Sequence, residues 1–278
     1  KNWKFKFKAD ITYTESGRTS PTYALRANSI PVNAFCVKAD FAESSGTHNT
    51  GMAKVINSLL IEMGLTTPPQ KTNKEVRTTV DGYPIAIFHR ETASDTLEFV
   101  GKYNFNNDKS TADTFGFSEG DESWEFSNNT SDRCLFKSAD FSGTDWMNDF
   151  EPRYPDDDAI NAEYEAGTRK PEKLMAVTSW VVSTKDNLDK FKNEVRNHFN
   201  IDNLIAYYLI TELFGMVDQR AKNMFLTYFH EEGKWIFIFY DNDTCFGLNN
   251  EGLIAFGYNI EYHDKIGTLN VWNGESSV

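Results

Sequence analysis

Residues 217–247 constrain this chain more than any other stretch. A helical pattern ends near Met216, and a polar loop follows carrying Asp218, Arg220 and Asn223. Two apolar, aromatic-rich runs come next, at 224–229 and 234–240, separated by His230-Glu-Glu-Gly233. Runs of that length around a Glu-Gly turn signal predict a β-hairpin. The second run passes directly into Asp241-Asn-Asp243. A hairpin returns the chain to where it entered, so the loop at its exit lies beside the loop at its entry. Asp218, Asn223 and Asp241 should therefore converge, with the two carboxylates within about 10 Å of each other, close enough to share a metal-bound nucleotide.

This is the layout of a phosphotransfer site. Protein kinases place a base Asp in a loop, a metal-binding Asn five positions later, and a second metal-binding Asp further on. Asp218 and Asn223 have that spacing, and Asp241 begins Asp-Asn-Asp where kinases carry Asp-Phe-Gly. In these roles Asp218 orients the attacking hydroxyl and takes its proton. Arg220 faces the transferred phosphate. Asn223 and Asp241 hold one or two Mg²⁺ ions, which favour a few hard oxygens plus nucleotide phosphates. Asp243 is a further ligand or an outer partner. Each has a plainer reading as a loop carboxylate or surface cation; the spacing of three together favours the site.

Residues 207–247 resemble the spore-coat CotH-like kinases, atypical members of the protein-kinase fold. That family keeps the Asp and Asn of the catalytic loop without a preceding His-Arg, and its metal loop reads Asp-x-Asp-x-x-x-Gly, matched by Asp241, Asp243 and Gly247. Asp81-Gly-Tyr-Pro-Ile-Ala86-Ile-Phe is similar to a strand pair of the family, with Ala86 where a glycine usually stands. The resemblance implies a bilobal α+β protein-kinase-like fold, with a small mainly β N-lobe and a larger mainly helical C-lobe. It implies ATP with Mg²⁺ or Mn²⁺ as cofactors and a hydroxyl acceptor such as protein Ser or Thr. The wording of 38–51 and 240–252 is similar to versions carried by phage or prophage tail-region proteins, which implies a virion or bacterial cytoplasm as the location.

The nucleotide anchor is expected from a strand Lys and a helix Glu. Ala34-Phe-Cys-Val-Lys38 follows the pattern of Val-Ala-Ile-Lys, and Glu62 lies on the next helix; Lys6 and Lys8, on another strand, are the alternatives. No Gly-x-Gly-x-x-Gly loop occurs. A phosphate loop would lie before residue 1 or at 15–21. The chain opens inside an alternating strand, which suggests a piece of a longer protein.

Residues 1–91 read as the N-lobe: strands at 1–13 and 32–39, a helix at 49–63 with its apolar stripe at Met52, Val55, Ile56, Leu59, Leu60 and Met63, and a hairpin around Asp81-Gly82. Residues 92–278 read as the C-lobe, with helices at 171–182, 187–199 and 201–217 and a catalytic core at about 200–250. The last helix is apolar almost throughout and is expected to be buried. Residues 95–165 hold 18 Asp/Glu and 5 Lys/Arg, a net of −13 that equals the whole chain's charge. With its many Asn, Ser and Gly, the stretch 93–158 reads as an irregular acidic insertion used for partner contact.

Other classes fit less well. So acidic a chain argues against a nucleic-acid partner, and no apolar run is long enough for a membrane helix. No signal peptide is visible. Cys36, Cys134 and Cys245 have no metal-ligand spacing and read as reduced, buried thiols. Glycosyltransferase Asp-x-Asp sites sit among alternating parallel strands and helices, not after a hairpin. Haloacid-dehalogenase phosphatases need Thr one place later than Thr244, and an EF-hand would close on an acidic residue where Gly252 stands. The non-enzyme alternative is a catalytically silent kinase-like module of a phage tail or coat protein, partnered by neighbouring structural proteins.

Overall fold

The computed structural model describes residues 2–6, 22–40, 43, 45–126, 140–216, 219, 223–248 and 252–253. Asp218, Arg220, Lys8, Cys134 and the stretch 15–21 fall outside them. The fold is α+β, built on two four-stranded antiparallel sheets.

The first sheet comprises β1 (Trp3–Lys6), β2 (Ala34–Lys38), β3 (Gly82–His89) and β4 (Glu98–Asn107), in the order β1-β2-β4-β3. Helix α1 (His48–Glu62) follows β2 and buries Met52, Ala53, Ile56 and Leu60. Short α2 (Pro68–Thr72) leads toward β3, and α3 (Ala112–Phe115) follows β4. The second sheet comprises β5 (Glu122–Phe126), β6 (Phe150–Tyr154), β7 (Met224–Phe229) and β8 (Lys234–Phe239), in the order β6-β5-β7-β8. Helices α4 (Asp158–Glu165), α5 (Glu172–Thr184), α6 (Leu188–His198) and α7 (Ile201–Leu213) complete it. Rings of Trp124, Trp146, Tyr164 and Phe126 fill the core between sheet and helices.

The hairpin forms as expected. Met224 pairs with Phe239 and Phe229 with Lys234. Gly233, at φ 62°, supplies the left-handed residue that a turn of this length needs. Tyr207 on α7 stacks on Phe239 at 4.1 Å between ring centroids, which ties the central helix to the strand leading into Asp241.

The structure departs from several expectations. Residues 93–158 are not an irregular insertion. They supply β4, α3, β5 and β6, and β4 and β5 are interior strands of the two sheets. The strands escape alternation because their polar residues point inward: Asn104, Asn106 and Asn107 on β4 are buried while Phe99 and Val100 are exposed. On β5, Ser123 and Glu125 are as buried as Trp124 and Phe126. The acidic residues follow the same rule, since Asp108, Asp121 and Glu125 are buried and paired with Lys4, His230 and Arg153 respectively. β4 completes the N-terminal sheet, which therefore runs past residue 91.

The hairpin of that sheet turns at 90–97, not at Asp81-Gly82. Asp81 is held instead by Arg26 and by the backbone N–H of Gly82. Helix α1 keeps its expected span within one residue, but Val55 and Met63 of its stripe are exposed. Helix α7 is buried on one face only. Asn203, Ala206, Tyr207 and Ile210 face inward, and Ile205, Tyr208, Leu209 and Leu213 are exposed among the described residues.

Candidate active site

Strand β2 ends on Lys38, whose ammonium pairs with Oδ2 of Asp241, two hundred residues on in sequence. Both side chains are only 18% exposed, so the pair is largely withdrawn from water. Burial alone would lower the Lys38 pKa, but Asp241 and the neighbouring Tyr240 and Asp243 outweigh it and raise it. The amine is therefore a fixed cation.

Asp241 is positioned by its backbone as well. It sits in the left-handed region at φ 53°, ψ 64°, a conformation that costs a non-glycine residue and persists only when its surroundings enforce it. Gln219 does so. Its Nε2 donates to the carbonyls of Tyr240 and Asp241 at 3.0 and 2.8 Å, and its own carbonyl accepts from the Tyr207 hydroxyl at 2.6 Å. Asn223, also left-handed at φ 56°, accepts a backbone bond from Tyr240 N at 3.1 Å. Asn223 and Asp241 are thus brought together across the open end of the hairpin. A 3-10 turn, Asn242–Thr244, follows and carries Asp243. Phe246 and Gly247 then bond back to the carbonyls of Phe214 and Gly215 just past α7.

Helix α1 reaches this turn through its first residues. Asn49 Nδ2 donates to Asp241 Oδ1 at 2.9 Å, and Asn49 Oδ1 accepts from Asn242 N at 3.1 Å. Glu62 lies at the other end of the helix and is exposed. Thirteen residues at a 1.5 Å rise put it about 20 Å from Asn49 along the axis. The structure therefore brings together Lys38, Asn223, Asp241 and Asp243 and leaves Glu62 apart. Lys6 ends β1 and is exposed.

Several contributors had no motif to announce them. Asn49 is one polar residue of a helix start, and Gln219 hides between Asp218 and Arg220. Asp40 lies two residues beyond Lys38. Burial, then the charge of Asp241, pushes its carboxyl up to about 6, with Asn104 donating to it in the other sense. Tyr240 lies between two ammonium groups, with Lys38 at 5.1 Å and Lys109 at 4.9 Å from its ring. Lys109 also pairs with Glu125 at 2.7 Å.

The donors at this site are oxygens of Asp and Asn, a set that suits a hard cation such as Mg²⁺ or Mn²⁺ and not zinc. Among the described residues no three His, Cys, Asp or Glu side chains gather as a metal cluster. A Mg²⁺ shared with nucleotide phosphates needs fewer protein ligands than that. Buried oxygens of Asp40, Gln219 and Asn242 have no hydrogen-bond partner, leaving acceptor capacity close to Asp241. The oxygens of Asn223 and Asp241, with Asp243 two residues on, are of the type that a magnesium ion would use.

No curated protein matches the chain. The family model described as CotH kinase protein matches residues 103–274, which include the hairpin and its two polar loops but not Lys38. Membership of that family implies nucleotide and metal use in general. With more than half of its length matched, the chain belongs to the CotH kinase family.

Proposed function

We propose that the protein is an atypical kinase that transfers the γ-phosphate of ATP to a hydroxyl, such as a Ser or Thr of a protein acceptor. The observation that carries this reading is the meeting of Lys38 with Asp241. It comes from outside the family match and supplies the cation that a phosphate-binding cleft requires.

The residue roles follow from chemistry. Asp218 accepts the proton as the acceptor oxygen forms its bond to the γ-phosphorus and the bridging oxygen–phosphorus bond breaks, releasing ADP. Arg220 offsets charge on the moving phosphoryl group. Asn223 and Asp241, with Asp243, would hold Mg²⁺, which when bound neutralises β- and γ-phosphate oxygens. The Lys38 ammonium meets phosphate oxygens from the N-terminal sheet, and Asn49 keeps the Asp241 turn against α1.

The test is incubation with γ-labelled ATP, Mg²⁺ or Mn²⁺ and a generic protein acceptor, for the wild type and Asp218→Ala. Label transfer by the wild type alone supports the reading; no transfer and no Mg-ATP binding by the wild type overturns it. One observation favours a second reading, a silent structural module of a phage tail or coat assembly: the exposed Ile205, Tyr208, Leu209 and Leu213 on α7 suit contact with a neighbouring protein.

A further inference from the structure

A cleft of about 380 Å³ opens between α1 and the segments that precede β2 and β3. Ala53, Lys54, Asn57 and Ser58 of α1 form one wall; Arg26, Arg77, Thr79 and Asp81 form the rest. Asn57 lies two helical turns beyond Asn49, about 12 Å along the axis from the Asp241 turn.

Three cations line this cleft against one carboxylate. Arg26 spends Nη2 on both oxygens of Asp81, at 2.7 and 2.8 Å. Its Nε has no partner but is closed to solvent, whereas Nη1 makes no hydrogen bond among the described residues. Arg77 braces the wall by donating to the carbonyls of Lys74, Val76 and Asn28, and its Nε stands 3.9 Å from Asp81. Burial lowers the Arg77 pKa, and Asp81 offsets only part of that cost. The charge of Glu75 also reaches Arg77, but its side chain does not line the cleft. The Lys54 ammonium makes no hydrogen bond or ion pair among the described residues. The lining is thus two positive charges in excess, with Nη1 of Arg26 and the ammonium of Lys54 unspent.

We propose that this cleft binds a phosphate monoester or free phosphate dianion. A dianion matches the charge excess, and its oxygens accept from the unspent donors of Arg26 and Lys54, as guanidinium and ammonium groups commonly do. A single phosphate group fits better than a long polyanion, which the chain's net charge of −13 would repel. The site is separate from the Lys38–Asp241 pair and does not depend on phosphoryl transfer there.

The experiment is calorimetric titration of the whole chain with inorganic phosphate, a phosphoserine peptide, its unphosphorylated twin and acetate. The wild type is compared with Lys54→Ala, Lys54→Glu and Arg26→Gln. Lys54 is exposed and unpaired, so its variants should melt like the wild type. Losing one charged hydrogen-bond donor should weaken phosphate binding about tenfold, and Lys54→Glu should abolish it. Binding by the phosphopeptide alone supports the proposal and names a phosphorylated chain as the source; binding by inorganic phosphate alone supports it with the free ion. No binding by either, equal binding by acetate, or binding unchanged in Lys54→Glu overturns it.

Discussion

Asn49 holds the Asp241 turn with both ends of its amide, donating to Asp241 Oδ1 at 2.9 Å and accepting from Asn242 N at 3.1 Å. One side chain thereby joins the helix of the N-terminal sheet to the exit of the C-terminal hairpin. Lys38 joins the same carboxylate from β2. The carboxylate proposed to bind metal is therefore shared by both halves of the molecule.

Replacing Asn49 by Ala leaves the buried Asn242 N–H without its acceptor and frees one oxygen of Asp241. The expected loss is about 1–3 kcal/mol of stability. Chemical denaturation compares the variant with the wild type. An unchanged midpoint would show that the two halves are held together elsewhere.

Asp241→Ala acts on both stability and binding. It strands the Lys38 ammonium in a site only 18% exposed, at an expected cost of about 2–4 kcal/mol. Lys38→Met in the same background should restore part of that loss, because no unpaired cation then remains. The double-mutant cycle reads the coupling directly. Strict additivity would mean that the pair contributes nothing. Metal-dependent nucleotide binding, followed by calorimetry with Mg-ATP, should vanish in Asp241→Ala.

Asp218→Ala should fail at a different step. The base acts on the acceptor hydroxyl and not on ATP, so Mg-ATP affinity should stay near that of the wild type. Transfer should fall about 10²–10⁴-fold. Equal loss of binding and transfer would remove Asp218 from the role of base.

Asp40 gives the molecule a pH dependence of unusual sign for a carboxylate. Burial and the charge of Asp241 raise its pKa to about 6 in the folded protein, above the ordinary value of 3.8. Between those two values the folded state binds more protons than the unfolded state. Stability from this group is therefore greatest at low pH and falls as pH rises toward 6 and beyond. Asp40→Asn should match the wild type near pH 3.5 and exceed it by about 1–3 kcal/mol at pH 7.5. Urea melts at both values in metal-free buffer make the comparison. A gain that is equal at the two values would assign the effect to packing.

Deleting 93–158 should abolish folding. The segment supplies β4, which lies between β2 and β3, and β5, which lies between β6 and β7. Circular dichroism of the deletion should show neither sheet nor a cooperative melt. A folded deletion that still bound Mg-ATP would restore the segment to the status of an insertion.

The sequence by itself determined the local features of the hairpin end. Apolar runs around Glu232-Gly233 specify β7 and β8 because pairing and turn chemistry are short-range. The Asp-x-Asp that follows, and the helices at 172–184, 188–198 and 201–213, were legible for the same reason. Lys38 was legible as a strand-end lysine in a known pattern, but its partner was not. The tertiary structure alone chose Asn49 at the first turn of α1 over Glu62 at the last, since periodicity places a residue on a helix and says nothing of which end meets the cleft. It alone turned 93–158 into two interior strands. The buried Ser123 and Glu125 of β5 are satisfied by partners distant in sequence, Thr227 on Ser123 and Arg153 on Glu125. A buried polar group looks like a surface one until the group that pairs with it is in place.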